Sequence, residues 1–134
     1  MLTGLNHITL AVRDLGVSLD FYVAIGFKLR AQWRKGAYLE VGATWVCLTL
    51  NTSTDPEPRD DYTHLAFSTS LEGMNKLEQS LPAESLWHQN KSEGASLYFT
   101  DPDGHKLEAH IGDLDSRLAS LVEAPYEDLV LYEP

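Results

Sequence analysis

Cysteine is nearly absent: Cys47 is the only one in 134 residues. One thiol excludes an intramolecular disulfide and fits a reducing, cytoplasmic setting. Although 43% of the chain is hydrophobic, no stretch approaches the roughly 18 to 20 apolar residues that a membrane span needs. Residues 1–6 lack a basic region followed by an apolar one, so no signal peptide is expected. Positive charge is also scarce, with 10 Lys and Arg against 20 Asp and Glu and a formal charge of -10. Such a surface repels a polyphosphate backbone and an anionic lipid face, which argues against nucleic-acid and membrane partners. No linker rich in Gly, Ser or Pro divides the chain. The apolar residues are spread throughout, as suits one folded domain or two small modules sharing a core.

The element order repeats. A strand at 6–12 leads to Asp14, a helix N-cap, and Ser18, Phe21, Tyr22 and Ile25 follow at helical spacing before Gly26 stops the helix. A second strand at 62–69 leads to Ser70, another N-cap, with Met74, Leu77 and Leu81 marking a helix that Pro82 ends. Three alternating runs follow each helix, at 28–34, 37–41 and 44–50, then at 85–90, 96–100 and 105–111. The turn Asp101-Pro102-Asp103-Gly104 has type I chemistry. The reading is α+β, a duplicated βαβββ unit, with module one at about 1–51, module two at about 61–112 and a C-terminal helix at about 113–124. That helix carries Leu114, Leu118 and Leu121 on one stripe, with Arg117 among them. The arginine either snorkels to solvent or points into a pocket.

Alternate residues of a strand face opposite sides. In the first strand Ile8, Leu10 and Val12 oppose His7, Thr9 and Ala11. In its counterpart Leu65 and Phe67 oppose Tyr62, His64, Ala66 and Ser68. In the last strand Leu107, Ala109 and Ile111 oppose Lys106, Glu108 and His110. Ser96, Tyr98 and Thr100 share a face, as do Trp45, Cys47 and Thr49, and Tyr38 and Glu40. Each sheet then has a helix-packed face and a polar one suited to a ligand. Two histidines and a carboxylate, His7, His64 and Glu108, suit a divalent metal with open positions. A strand histidine can equally be a hydrogen-bonded surface group. His105 is expected in solvent, and His110 as a neighbour of the ligands rather than a ligand. The stretch 87–96 is either a polar hairpin connection or a loop that binds a cation through oxygens, and spacing does not separate the two.

The blocks at 4–12, 36–39, 61–64, 92–96 and 101–110 resemble the glutathione-dependent fosfomycin resistance proteins of the vicinal oxygen chelate superfamily, over residues 1–126. The resemblance implies a homodimer whose sites are shared between chains. A metal, usually Mn²⁺, would be held by His7 of one chain and by His64 and Glu108 of the other. K⁺ would sit at the loop of Asn90, Ser92, Gly94 and Ser96. Thr9, Ser92, Tyr98 and Arg117 match residues that hold the phosphonate, and Trp45 and Tyr62 match residues lining the epoxide pocket. Tyr38 matches a tyrosine near the thiol of glutathione, the co-substrate. Thr9, Tyr38 and Arg117 would thereby serve catalysis. His88 and Lys91 depart from the pattern, which commonly has lysine and arginine there. The implied activity is metal-dependent opening of the fosfomycin epoxide by glutathione. Water could replace the thiol in a hydrolase of the same fold, with Glu40 as the available base. Another low-molecular-weight thiol, a dioxygenase using the same ligands, and a non-catalytic drug-binding protein are the other readings.

Overall fold

Capping residues set the boundaries of the elements. β1 (His7–Val12) gives way to Asp14, whose side chain accepts from Val17 N at 3.0 Å and starts α1 (Leu15–Ala24). β2 (Lys28–Trp33), β3 (Gly36–Val41) and β4 (Thr44–Leu50) follow. In the second half β5 (Leu65–Ser68) precedes α2 (Leu71–Ser80), which Ser70 caps by accepting from Gly73 N at 3.1 Å. A 3-10 turn (Ala83–Ser85), β6 (Leu86–His88), β7 (Ala95–Thr100) and β8 (Lys106–Ile111) come next. α3 (Leu114–Glu123) opens with a reciprocal capping box between Asp113 and Ser116. The structure, a computed structural model, describes residues 1–89 and 94–134.

Two elements are shorter than the sequence suggests. The strand expected at 62–69 begins only at Leu65. Asp61 accepts from Thr63 N at 3.1 Å and from the Arg59 guanidinium at 2.6 and 3.0 Å, so its side chain turns the backbone there. The Arg59 contact holds the Asp61 carboxyl well below the usual carboxylate range. His64 therefore precedes its strand instead of lying within it. The run expected at 85–90 begins only at Leu86, as β6, because Ser85 is spent on the 3-10 turn; Asn90 lies outside the described residues.

The strands form two four-stranded sheets, ordered β1-β4-β3-β2 and β5-β8-β7-β6. β1 runs parallel to β4 and β5 parallel to β8, while β2 with β3, β3 with β4 and β6 with β7 pair antiparallel. Leu10, Val12, Leu39, Val46 and Leu48 are buried on one face of the first sheet, together with Leu19 and Tyr22 of α1. Leu107, Ala109, Phe99 and Met74 are buried in the second half. By its contacts the chain forms two compact units, 1–63 with 100–106, and 64–99 with 107–134. No helix among the described residues is long and apolar enough to cross a membrane.

The short segment 100–106 thus belongs with the first unit, and its acids are structural. Asp101 accepts from the Tyr22 hydroxyl at 2.6 Å and from the backbone N–H groups of Asp103 and His105, both at 2.9 Å. Asp103 accepts from Arg13 N and Nε at 2.9 and 3.0 Å and from Ser18 Oγ at 3.2 Å. Of these five side chains, all except Arg13 are buried. Desolvation pushes the Asp101 carboxyl up, against the downward pull of the Tyr22 hydrogen bond. Desolvation also raises the Tyr22 phenol strongly, and the neighbouring Asp101 charge adds to it. His105, expected in solvent, is half-buried and donates from Nε2 to the Ala11 carbonyl at 2.8 Å. A turn tip normally faces water. This one is drawn inward because α1 offers Tyr22 and Ser18, which would otherwise be buried hydroxyls without acceptors.

Candidate active site

Straight strands deliver the first group of residues. The pairing His7 with Trp45, Thr9 with Cys47, and Tyr38 with Cys47 puts all five on one face of the first sheet. The His7 ring stacks on Trp45 with centroids 4.1 Å apart and planes 15° apart. Tyr38 meets Trp45 edge-on at 4.9 Å and Trp33 at 4.7 Å. His7 Nδ1 lies 2.6 Å from Asn6 Oδ1. An amide oxygen only accepts, so Nδ1 is the donor here, and in the neutral ring Nε2 is the nitrogen left for a metal. A cavity of about 420 Å³ opens on this face beside Tyr38, Trp45, Thr44, Glu40 and Arg30.

Trp33 and Arg30 were not singled out by period-two counting. β2 has a register shift between Leu29 and Ala31, so Lys28 faces Glu40 while Ala31 faces Tyr38 and Trp33 faces Gly36. Arg30 is the extra residue, and such a bulge re-aims the strand's side chains. It brings Trp33 onto the polar face and the Arg30 guanidinium onto Glu40. Gly36 makes room for this: a Cβ there would stand 2.5 Å from the Trp33 ring. Nothing in the sequence pattern marks a bulge of this kind.

The second sheet gathers the other group. Glu108 pairs with Ala66, and His64 lies two residues before Ala66 in the chain. His64 Nε2 is 2.8 Å from Glu108 Oε2, and Ser96 Oγ donates to Glu108 Oε1 at 2.6 Å. His110 Nδ1 is 2.7 Å from Ser96 Oγ, so a chain of donors runs from His110 through Ser96 to the carboxylate. His110 therefore stands behind the Glu108 carboxylate, one hydroxyl removed from it. The Glu108 residue is only 7% exposed, a buried carboxylate whose two oxygens are both engaged. Tyr98, at 3% exposed, packs edge-on against His88 at 4.8 Å and Trp87 at 5.1 Å. Trp87 is fixed in turn by donating Nε1 to the Phe99 and Leu107 carbonyls at 2.9 and 3.2 Å.

The remaining candidates are more scattered. Gly94 has φ +79°, and a Cβ there would stand 2.5 Å from the Ile111 carbonyl, so the chain passes close to the end of β8. Asn90, Lys91 and Ser92 lie outside the described residues. Tyr62 is 56% exposed ahead of β5. On α3 Arg117 and Leu121 are half-buried, while Leu114 and Leu118, expected on a buried stripe, are exposed. Arg117 and Leu121, one turn apart, share the half-buried side of the helix.

The donor chemistry fits a divalent metal: a His7 imidazole with a free lone pair, and a histidine and a buried carboxylate that converge on one another. Among the described residues of a single chain, no three His, Cys, Asp or Glu side chains stand together as a metal-binding group. Residues 4–109 match the family model described as Glyoxalase/Bleomycin resistance protein/Dioxygenase superfamily. The chain belongs to this superfamily. Among its relatives, glutathione transferase FosA of Serratia marcescens is 49% identical, covering 97% of this chain and 96% of its own. Metallothiol transferase FosB of Shouchella clausii is 37% identical, over 89% of this chain and 87% of its own. The crystal structure of the fosfomycin resistance protein FosX from Listeria monocytogenes, complexed with Mn(II) and sulfate, superposes with a TM-score of 0.71 at 28% identity, covering 88% and 99%. As in that superfamily member, the fold is α+β, with two four-stranded sheets and flanking helices.

Proposed function

We propose that this chain is a metal-dependent transferase that opens the epoxide of fosfomycin with the thiol of glutathione and so confers resistance. The observation that carries this reading is the pair His64 and Glu108, braced by Ser96 and His110, together with a His7 whose Nε2 is left free. His7, His64 and Glu108 would hold the metal, Mn²⁺ in this reading. When bound, such an ion stabilises the negative charge that epoxide opening leaves on oxygen. The relatives named for glutathione and thiol transfer support the choice of nucleophile.

The chain's own residues divide the remaining work. Tyr38, exposed at 41% between two tryptophans, can hydrogen-bond an incoming thiol and favour its ionisation. Trp45 and Tyr62 would wall the epoxide. Thr9, Ser92, Tyr98 and Arg117 would hold the phosphonate, for which a guanidinium fork is well shaped. The loop of Asn90, Ser92, Gly94 and Ser96 would take K⁺. Glu40, the carboxylate that a hydrolase would need as base, is instead engaged by Arg30.

Purified protein incubated with fosfomycin and Mn²⁺ should give the glutathione adduct by mass spectrometry only when glutathione is added. Glu108→Ala should lower turnover by about a hundredfold or more, since a bound metal supplies several kcal/mol at the transition state. A diol formed without thiol, or full activity in Glu108→Ala with unchanged metal titration, would refute the assignment.

A further inference from the structure

The cavity beside Tyr38 carries charges that thiol activation does not use. Arg30 and Glu40 stand paired at its wall, next to Thr44 and Trp45. The strand that supplies Arg30 is also unusual. Lys28, Arg30, Arg34 and Lys35, four of the chain's ten basic residues, fall between 28 and 35, and no acid lies among them. In a chain of formal charge -10, this is a concentrated positive edge, and it borders the face that bears Tyr38. The bulge at Leu29/Ala31 adds Arg30 to that edge without displacing Lys28 from its pairing with Glu40.

A ligand that fits here bears a carboxylate and an ammonium on one carbon, as the amino-acid end of a thiol peptide does. Arg30 offers planar donors to the carboxylate. Glu40 offers acceptors to the ammonium. The two side chains are exposed at 57% and 41%, and ion pairs that open to water are weak, so a ligand can exchange partners with them at little cost. Resting on the transferase reading above, we infer that the Arg30–Glu40 pair is the subsite that recognises the zwitterionic end of the thiol co-substrate. It thereby sets the preference for glutathione over uncharged thiols.

The test compares glutathione with 2-mercaptoethanol, which carries neither charge, in the parent, Arg30→Ala, Arg30→Lys and Glu40→Gln proteins. Glutathione's advantage in kcat/KM should fall roughly tenfold in Arg30→Ala, the loss expected for one charge-assisted contact. Glu40→Gln should lose several-fold, and Arg30→Lys should fall between parent and Ala. KM for fosfomycin should not follow the same order. Binding of glutathione alone, read by quenching of tryptophan fluorescence, should weaken in the same order. That titration needs no turnover and no metal, so it reports on the cavity even if the transferase assay fails. An unchanged glutathione preference and affinity in Arg30→Ala would overturn the inference and leave the transferase reading standing. A loss seen only in fosfomycin KM would overturn it too.

Discussion

His88 is one of two residues at which the chain leaves the pattern of the resistance proteins, and it lies beside a candidate phosphonate contact. Its ring meets Tyr98 edge-on at 4.8 Å. A phosphonate is dianionic near neutral pH, and Arg117 alone does not balance it. His88→Lys should therefore lower the KM for fosfomycin several-fold, by about 1 kcal/mol for one charge-assisted contact. Steady-state kinetics at saturating glutathione would check this. A KM identical to the parent's would put position 88 outside the anion site and make Lys91 the next residue to exchange. Ser96 works at the same scale. The sequence puts it on the polar face of its strand, and the resemblance puts it at the K⁺ loop; in the structure its hydroxyl bridges His110 and Glu108. Hydroxyl hydrogen bonds are set by rotamer and cross-strand distance, and neither is written in a residue pattern.

Among the elements, the inward turn between β7 and β8 gives the clearest stability prediction. Tyr22→Phe removes the donor at 2.6 Å from a buried carboxylate. It should cost about 1 to 3 kcal/mol in urea unfolding, the range for a buried acceptor left without its partner. Asp101 supplies a pH signature. Burial raises its carboxyl in the folded state above the unfolded value, so the folded state binds its proton more tightly. The contribution is fully present below the unfolded pKa and is lost as pH rises through the folded one. The unfolding free energy of Asp101→Asn relative to the parent should therefore climb with pH from the ordinary Asp range upward, then level off. A difference that is flat across that range would mean that Asp101 is not held as described. The sequence showed these acids only as turn formers, because their burial depends on a helix far earlier in the chain. Helix starts at Asp14, Ser70 and Asp113 were legible, since a cap is a local event. So were the faces of β1, β3, β4 and β8, where alternation is unbroken. β2 was not, because one extra residue reverses which side chains share a face. Three candidate ligands and the neighbouring His110 could be named from alternation, but the Ser96 hydroxyl that links His110 to Glu108 could not.

For the whole molecule, the proposed sharing of ligands between copies has a direct test. If His7 and the His64–Glu108 pair meet one metal from different chains, inactive His7→Ala and Glu108→Ala proteins should rescue one another when mixed and allowed to exchange subunits. One site of each heterodimer would then hold every ligand, and up to half the activity per dimer should return, because a two-fold dimer has two equivalent sites. Demonstrated exchange without recovery would place the site within a single chain. The turn at 101–105 also bears on how the chain can be divided. The element order repeats across the connection at 51–61, which invites a cut there to produce two half-proteins. Such a cut would strand Tyr22 and Ser18 in one fragment and their acceptors in the other. The repeat boundary and the seam between compact units are different places in this polypeptide, so fragment complementation or circular permutation designed on the repeat would sever the clasp that holds the 101–105 turn against the first half.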